Sequence, residues 1–421
     1  MTTNGDPVLV VGGRTTGMFM AAELARHGIP VRIIDKSPGI DPHSRATYIR
    51  ARTLEILHGL GLADTIVDRG QSMRAISIYS NGKHIATTPE LPVDSPFPRG
   101  KAYSQSKTEV ILERHLDHLG IKVERSTELV SLQQTPDHVL VKIRTADGRE
   151  ETIKTPWMIG CDGSHSATRK LLGEPFPGEA DPVTYIACDV VAEGPIDPEV
   201  VYLCLHDDGD LFFFLLDEGR RQISATLPHD GSRTEPPTLE EMQRLVQERG
   251  FADVKLSDSR WMTLFHLHYR LVPRYRHGRV FLAGDAAHIH SFIGGQGLNT
   301  GIQDAHNLAW KIAMVMRFGA PNWWLDSYES ERRAIAADVL QWTKAATEEL
   351  AAYAELSAAH RERVLGHMAL PESERLKQRS HEQEIVLVYG LSRLCLEPDD
   401  IETGPRAGTR APDVSPITVN G

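Results

Sequence analysis

Residues 284–311 read GDAAHIHSFIGGQGLNTGIQDAHNLAWK, and this stretch decides the fold. Gly284 and Asp285 end an apolar run over 280–283 that has strand character. Gly294, Gly295 and Gly297 then remove the Cβ from a short loop, which lets main chain approach a ligand closely. Asn299 is placed to cap a helix beginning near Thr300. Ile302, Ala305, Leu308, Ala309, Ile312, Val315 and Met316 form its apolar stripe. The positive end of that helix faces the glycines and suits negative charge. Strand, loop and helix together predict a cradle for a flat, anionic ligand.

The N-terminus has a matching design. An apolar run over 7–11 leads into Gly12-Gly13-Arg14-Thr15-Thr16-Gly17, a helical stretch over 18–27, and a second apolar run over 31–34. Asp35 and Lys36 follow. This is the strand, glycine turn, helix, strand and acid order of a dinucleotide-binding βαβ unit. Gly12 makes the tight turn, Gly17 lets helix pack on strand, and Asp35 can accept ribose hydroxyls. The candidate cofactor contacts here are Gly12, Thr15, Thr16, Gly17, Asp35 and Lys36. One position departs from G-x-G-x-x-G, because Arg14 stands where glycine is usual. Its side chain must turn away, or pair with phosphate while the loop shifts.

Together these segments resemble the flavoprotein aromatic hydroxylases of the para-hydroxybenzoate hydroxylase type, from the N-terminus to about Arg333. Residues 162–169 (DGSHSATR) match that family's D-G-x-x-S-x-x-R motif, with Asp162 at its head. Residues 284–288 match its G-D-A-A-H, and residues 294–299 match the loop beneath the isoalloxazine ring. The resemblance implies FAD as cofactor, held by Asp162, Gly284, Asp285, Gly295, Gly297, Leu298 and Asn299. Arg45 and Gln105 fall where the family places further FAD contacts. Residues 325–333 (LDSYESERR) resemble its closing helical segment. A second departure is Phe292, where the family loop usually carries proline.

The chain has 421 residues, enough for more than one domain. Its net charge of −11 supplies no basic footprint for nucleic acid. Cys161, Cys188, Cys204 and Cys395 show no metal-like spacing and read as buried thiols in a cytoplasmic protein. There is no HExxH, so no metal is expected, and no membrane-length apolar run.

The expected class is α/β: a Rossmann-like FAD-binding domain with a mixed sheet, a β-sheet substrate domain, and C-terminal helices. The FAD-binding domain takes residues 1–75, 101–179 and 271–320. The substrate domain takes 76–100 and 180–270, with strands over 183–191, 200–206, 211–216 and 221–227 and a helix over 239–249. Residues 321–421 form a helical segment and tail. Residues 405–412 resemble a linker that precedes a thioredoxin-like domain in longer polyketide hydroxylases, so a further domain is either absent or cut off. Phe212 and Phe214 alternate to one face of their strand and, with Phe292, are candidate substrate contacts. His288 and His290 are expected to be structural, and Trp323-Trp324 to pack the closing helices.

The resemblance implies an FAD-dependent monooxygenase. It would use NADPH and O2 to hydroxylate a small aromatic or polyketide substrate through a flavin C4a-hydroperoxide. The alternative is a non-redox cyclase on the same scaffold, holding FAD structurally and trapping a polyene for [4+2] cycloaddition. Arg14 and Phe292, both at cofactor-facing turns, motivate it. A third class binds flavin without turnover. No side chain is singled out as acid or base.

Overall fold

The computed structural model describes residues 5–44, 46–227 and 233–357, together with 359–361, 364, 372–389, 392–395 and 407–410. Among these residues a six-stranded sheet runs in the order Arg276–His277, Val280–Leu282, Met158–Gly160, Val8–Val11, Val31–Ile34, Val123–Glu124. The pairings from Val280–Leu282 to Val123–Glu124 are all parallel. Val8–Val11 is buried throughout, as a central parallel strand must be. Three neighbouring strands thus point the same way: Val280–Leu282, Met158–Gly160 and Val8–Val11. The loops leaving their C-terminal ends must emerge side by side, where open parallel sheets bind ligands. Those loops carry the three sequence motifs.

A second sheet of eight strands has the order His288–Ile289, Lys255–Leu271, Gly178–Glu193, Arg221–Leu227, Leu211–Leu215, Val200–Leu205, Ala75–Ser80, Lys83–Pro89. Sequence reading identified four of these in the 180–270 block and missed Lys255–Leu271. That strand is only partly covered, and its arginines and histidines blur the alternation. It pairs antiparallel with Gly178–Glu193 along most of its length. His288–Ile289 pairs with its end, joining the 284–288 turn to the second sheet. Glu128–Gln134, Val139–Arg144 and Glu150–Thr155 form a separate antiparallel meander.

The Gly297–Phe318 helix packs beside the Thr15–Arg26 helix. Ile302, Leu308 and Ile312 are fully buried, each contributing roughly 1.5–3 kcal/mol. Gly319 ends the helix in the left-handed conformation, at φ 69°. The Asp326–Glu355 helix closes over this layer through four side chains of the 325–333 segment. Tyr328 donates to the Leu282 carbonyl at 2.8 Å, and Glu329 accepts from Tyr275 N at 2.6 Å. Glu331 meets the buried Lys311 ammonium at 2.5 Å, and Arg332 reaches Asp304. Of the tryptophan pair, Trp324 packs edge-on against Trp310, whereas Trp323 lies at the surface beneath Arg393.

Asp304 is the polar centre of this layer. One carboxylate oxygen accepts from Gly284 N at 3.1 Å and lies 2.8 Å from His288 Nε2. The other accepts from Arg332 Nε at 2.8 Å. Both Asp304 and Arg332 are fully buried. Asp304→Asn would leave the guanidinium uncompensated, so it is expected to cost about 3–5 kcal/mol. Urea unfolding checks this; a loss below about 1 kcal/mol would contradict the assignment.

Candidate functional site

The Gly12–Gly17 turn is glycine for steric reasons. A Cβ on Gly12, at φ 109°, would lie 2.3 Å from the Cys161 carbonyl oxygen, and one on Gly17 would lie 1.8 Å from the Gly12 oxygen. Arg14 needs no such freedom, having extended backbone at φ −99°. Its guanidinium turns aside to Glu109 at 3.2 Å and Asp41 at 3.5 Å. Glu109 also accepts from Thr15 N at 3.3 Å, Thr15 Oγ1 at 3.0 Å and Gln105 Nε2 at 2.9 Å. A buried carboxylate therefore caps the Thr15–Arg26 helix from another helix, where negative charge is favoured. Sequence reading missed Glu109, which lies far along the chain. Asp35 is buried and accepts from Gly13 N at 2.5 Å and Ser37 N at 2.6 Å.

Thr16 joins the turns. Its Oγ1 lies 2.8 Å from where a Gly284 Cβ would be and 2.4 Å from that of Gly301. Asp162 accepts from Ser166 Oγ at 2.5 Å and Thr168 N at 2.9 Å, which shapes its own loop. Arg169 then donates to the Ser164 and Ala286 carbonyls at 2.7 and 2.9 Å, tying that loop to the 284–288 turn. Asp285 is the exposed residue of the turn. Lys36 stands apart, lining an open cavity of about 490 Å³ with Ser126, Glu128 and Arg144. Arg45 lies outside the described residues.

Asn299 is not the predicted cap. The helix starts at Gly297, and Asn299 lies within its first turn. Its Oδ1 accepts from Arg50 N at 2.9 Å, and its Nδ2 donates to the Tyr48 and Gly295 carbonyls at 3.0 and 2.7 Å. Asn299 thus fastens the glycine loop to the Tyr48–Ile49 strand. Gly294 and Gly295 are both left-handed, at φ 83° and 63°, which lets the loop reverse before the helix. Leu298 is half-buried against the main core.

The strand alternation expected for the phenylalanines is present. Phe212 stacks on Phe214 at 6.1 Å on one face, while Phe213 packs against Phe251 at 4.9 Å on the other. Phe292 meets Phe212, Phe214, Phe265 and Tyr185 edge-on, at 6.1, 5.8, 5.9 and 5.4 Å. The aromatic at the usual proline position therefore anchors the glycine loop to the eight-stranded sheet.

Several buried polar atoms along this loop lack a partner among the described residues: Arg50 Nε, His290 Nε2, Gln296 Oε1 and Thr300 Oγ1. Such groups call for a polar ligand or water. Glycine turns, a free helix N-terminus and these atoms fit a flavin nucleotide laid across the sheet edge.

The comparisons agree with that geometry. A family model described as an FAD binding domain matches residues 6–343. The chain belongs to this FAD-binding family. A 6-methylpretetramide 4-monooxygenase of Streptomyces rimosus is 34% identical over 349 residues, covering 82% of this chain. The match spans 62% of that enzyme's length. The structure of aklavinone-11 hydroxylase with FAD and aklavinone superposes with a TM-score of 0.76 at 27% identity, covering 98% of this chain and 80% of the other. The Diels-Alderase PyrE3 superposes with a TM-score of 0.76 at 28% identity, covering 97% and 82%.

Asp285→Ala is expected to weaken FAD binding at least tenfold, about 1.4 kcal/mol. Fluorescence titration checks it, and unchanged affinity would dissociate Asp285 from the cofactor. His290 is held neutral: burial, then the neighbouring His288, push it down to about 4. The unfolded chain, near 6.5, then binds the extra proton first, so stability falls as pH drops from about 6.5 to about 4. His290→Gln should flatten that decline in unfolding measurements at pH 7, 5.5 and 4.5. A slope identical to wild type would show that His290 does not titrate this way.

Proposed function

We propose that this chain is an FAD-dependent monooxygenase that hydroxylates an aromatic or polyketide small molecule, using NAD(P)H and O2. The supporting observation is the Phe292 cluster, in which Phe212, Phe214 and Phe265 pack against the residue that leads into the Gly-Gly-Gln-Gly loop. That cluster is apolar and aromatic, suited to packing a ring and excluding water. Bound FAD supplies the redox chemistry, taking hydride from NAD(P)H and activating oxygen. The chain's own residues hold and orient. In this reading Gly12, Thr15, Thr16, Gly17, Asp35, Arg45, Gln105, Asp162, Gly284 and Asp285 serve the nucleotide, whereas Lys36, turned to the cavity with Ser126 and Glu128, does not. Gly295, Gly297, Leu298 and Asn299 serve the ring system, with the Gly297–Phe318 helix directing its positive end there. Phe212, Phe214 and Phe292 serve the substrate. Residues 1–75, 101–179 and 271–320 form the cofactor-binding part, and 76–100 with 180–270 the substrate-facing part. Related monooxygenases support the reading, as does the hydroxylase complex with FAD and aklavinone.

The second reading is a cyclase that keeps FAD as a structural element. Phe292 favours it by filling space beside the loop, and so does the likeness to PyrE3. Anaerobic titration of the FAD-loaded protein with NADPH separates the two. The monooxygenase reading expects the yellow oxidised band to bleach. A band that stays yellow, with and without candidate polyketide ligands, would overturn it in favour of the cyclase.

A further inference from the structure

Arg50 follows the Tyr48–Ile49 strand and is buried. Its backbone N–H is fixed by Asn299 Oδ1 at 2.9 Å. Its Nη2 donates to the Gly294 carbonyl and lies 3.9 Å from where a Gly295 Cβ would be. The guanidinium sits 4.9 Å from the Tyr48 ring centroid, and its Nε is buried without a partner. The charge therefore lies directly against the Gly-Gly-Gln-Gly loop.

Among the described residues this cation has no carboxylate at ion-pair distance. The nearby acids are committed elsewhere: Glu90 and Glu382 pair with Arg379, and Glu384 accepts from Gln303 Nε2 at 2.6 Å. Burial, and then the Arg379 cation, lower the Arg50 pKa, while Glu382 and Glu384 favour the charge only from a distance. Arginine nonetheless stays protonated in proteins. A buried cation with no carboxylate in contact is costly, and an anion arriving with a ligand would offset that cost.

We propose that Arg50 is the charge-compensating residue for reduced FAD. Two-electron, one-proton reduction of the flavin (FAD + 2e⁻ + H⁺ → FADH⁻) adds one negative charge, the electrons coming from NAD(P)H in the proposed reaction. Arg50 and the N-terminus of the Gly297–Phe318 helix supply positive potential from two directions. Arg50 thus favours the reduced over the oxidised cofactor. This inference rests on the FAD reading but not on substrate hydroxylation.

The test measures affinity for oxidised and for dithionite-reduced FAD, anaerobically, on flavin-stripped wild type, Arg50→Lys and Arg50→Gln. The ratio of the two affinities is informative even where binding is weak. Arg50→Gln is expected to lose at least tenfold of the preference for reduced FAD, equivalent to a potential about 30 mV more negative for a two-electron couple. Arg50→Lys, which keeps the charge, should retain most of that preference. Equal weakening of both redox forms in Arg50→Gln would overturn the proposal and leave Arg50 as a clamp on Gly294. So would a lysine variant that behaves like glutamine. A wild type that NADPH fails to reduce, but whose ratio depends on Arg50, would overturn the monooxygenase reading and support this one.

Discussion

The site depends on one buried carboxylate. Asp304 holds the Gly284 amide, the His288 ring and the Arg332 guanidinium together in a place that excludes water. Those three groups belong to a strand end, the turn after it and the closing helix, while Asp304 itself rides on the Gly297–Phe318 helix. Its charge survives because His288 and Arg332 offset the cost of burial and hold it below the ordinary carboxylate range. Fixing the helix and the turn to each other fixes the glycine loop between them. Asn299 and Phe292 add further anchors, which a glycine loop needs because glycines bring no rigidity of their own.

Much of this architecture was legible in the sequence because its signals are local. The βαβ unit, the 284–288 turn and the helical stripe each occupy one continuous stretch, and periodicity and glycine spacing reveal them. The aromatic alternation at 212–214 is likewise a property of three adjacent residues. What stayed hidden was long-range. Glu109 caps a helix that begins at Thr15, Asn299 binds main chain at Tyr48 and Arg50, and Arg332 meets Asp304 across two helices. Asn299 was misread for the same reason. An amide just ahead of an apolar stripe looks like a cap, whereas the left-handed glycines let the helix begin earlier and free the side chain to bridge two segments.

The two departures from the family pattern have different physical meanings. Arg14 costs the turn little, because its backbone is extended and Glu109 with Asp41 receive its charge. Glu109 in turn supplies the negative charge the helix N-terminus favours. Phe292 changes more, since it replaces a stiff residue with an aromatic anchor to the neighbouring sheet. The loop then takes its position from packing against Tyr185, Phe212, Phe214 and Phe265 rather than from a fixed φ. A loop held in that way couples the glycine turn directly to the eight-stranded sheet.

The proposed function requires FAD to lie across the three loops at the sheet edge, with its ring end at the glycine loop. Hydrogen exchange of the protein with and without FAD, read at peptide resolution, tests it most directly. Bound FAD should add protection over 12–17, 48–50, 284–288 and 294–299, with little change in the 128–155 meander. Protection that leaves 294–299 unchanged, or that falls mainly on the meander, would contradict it.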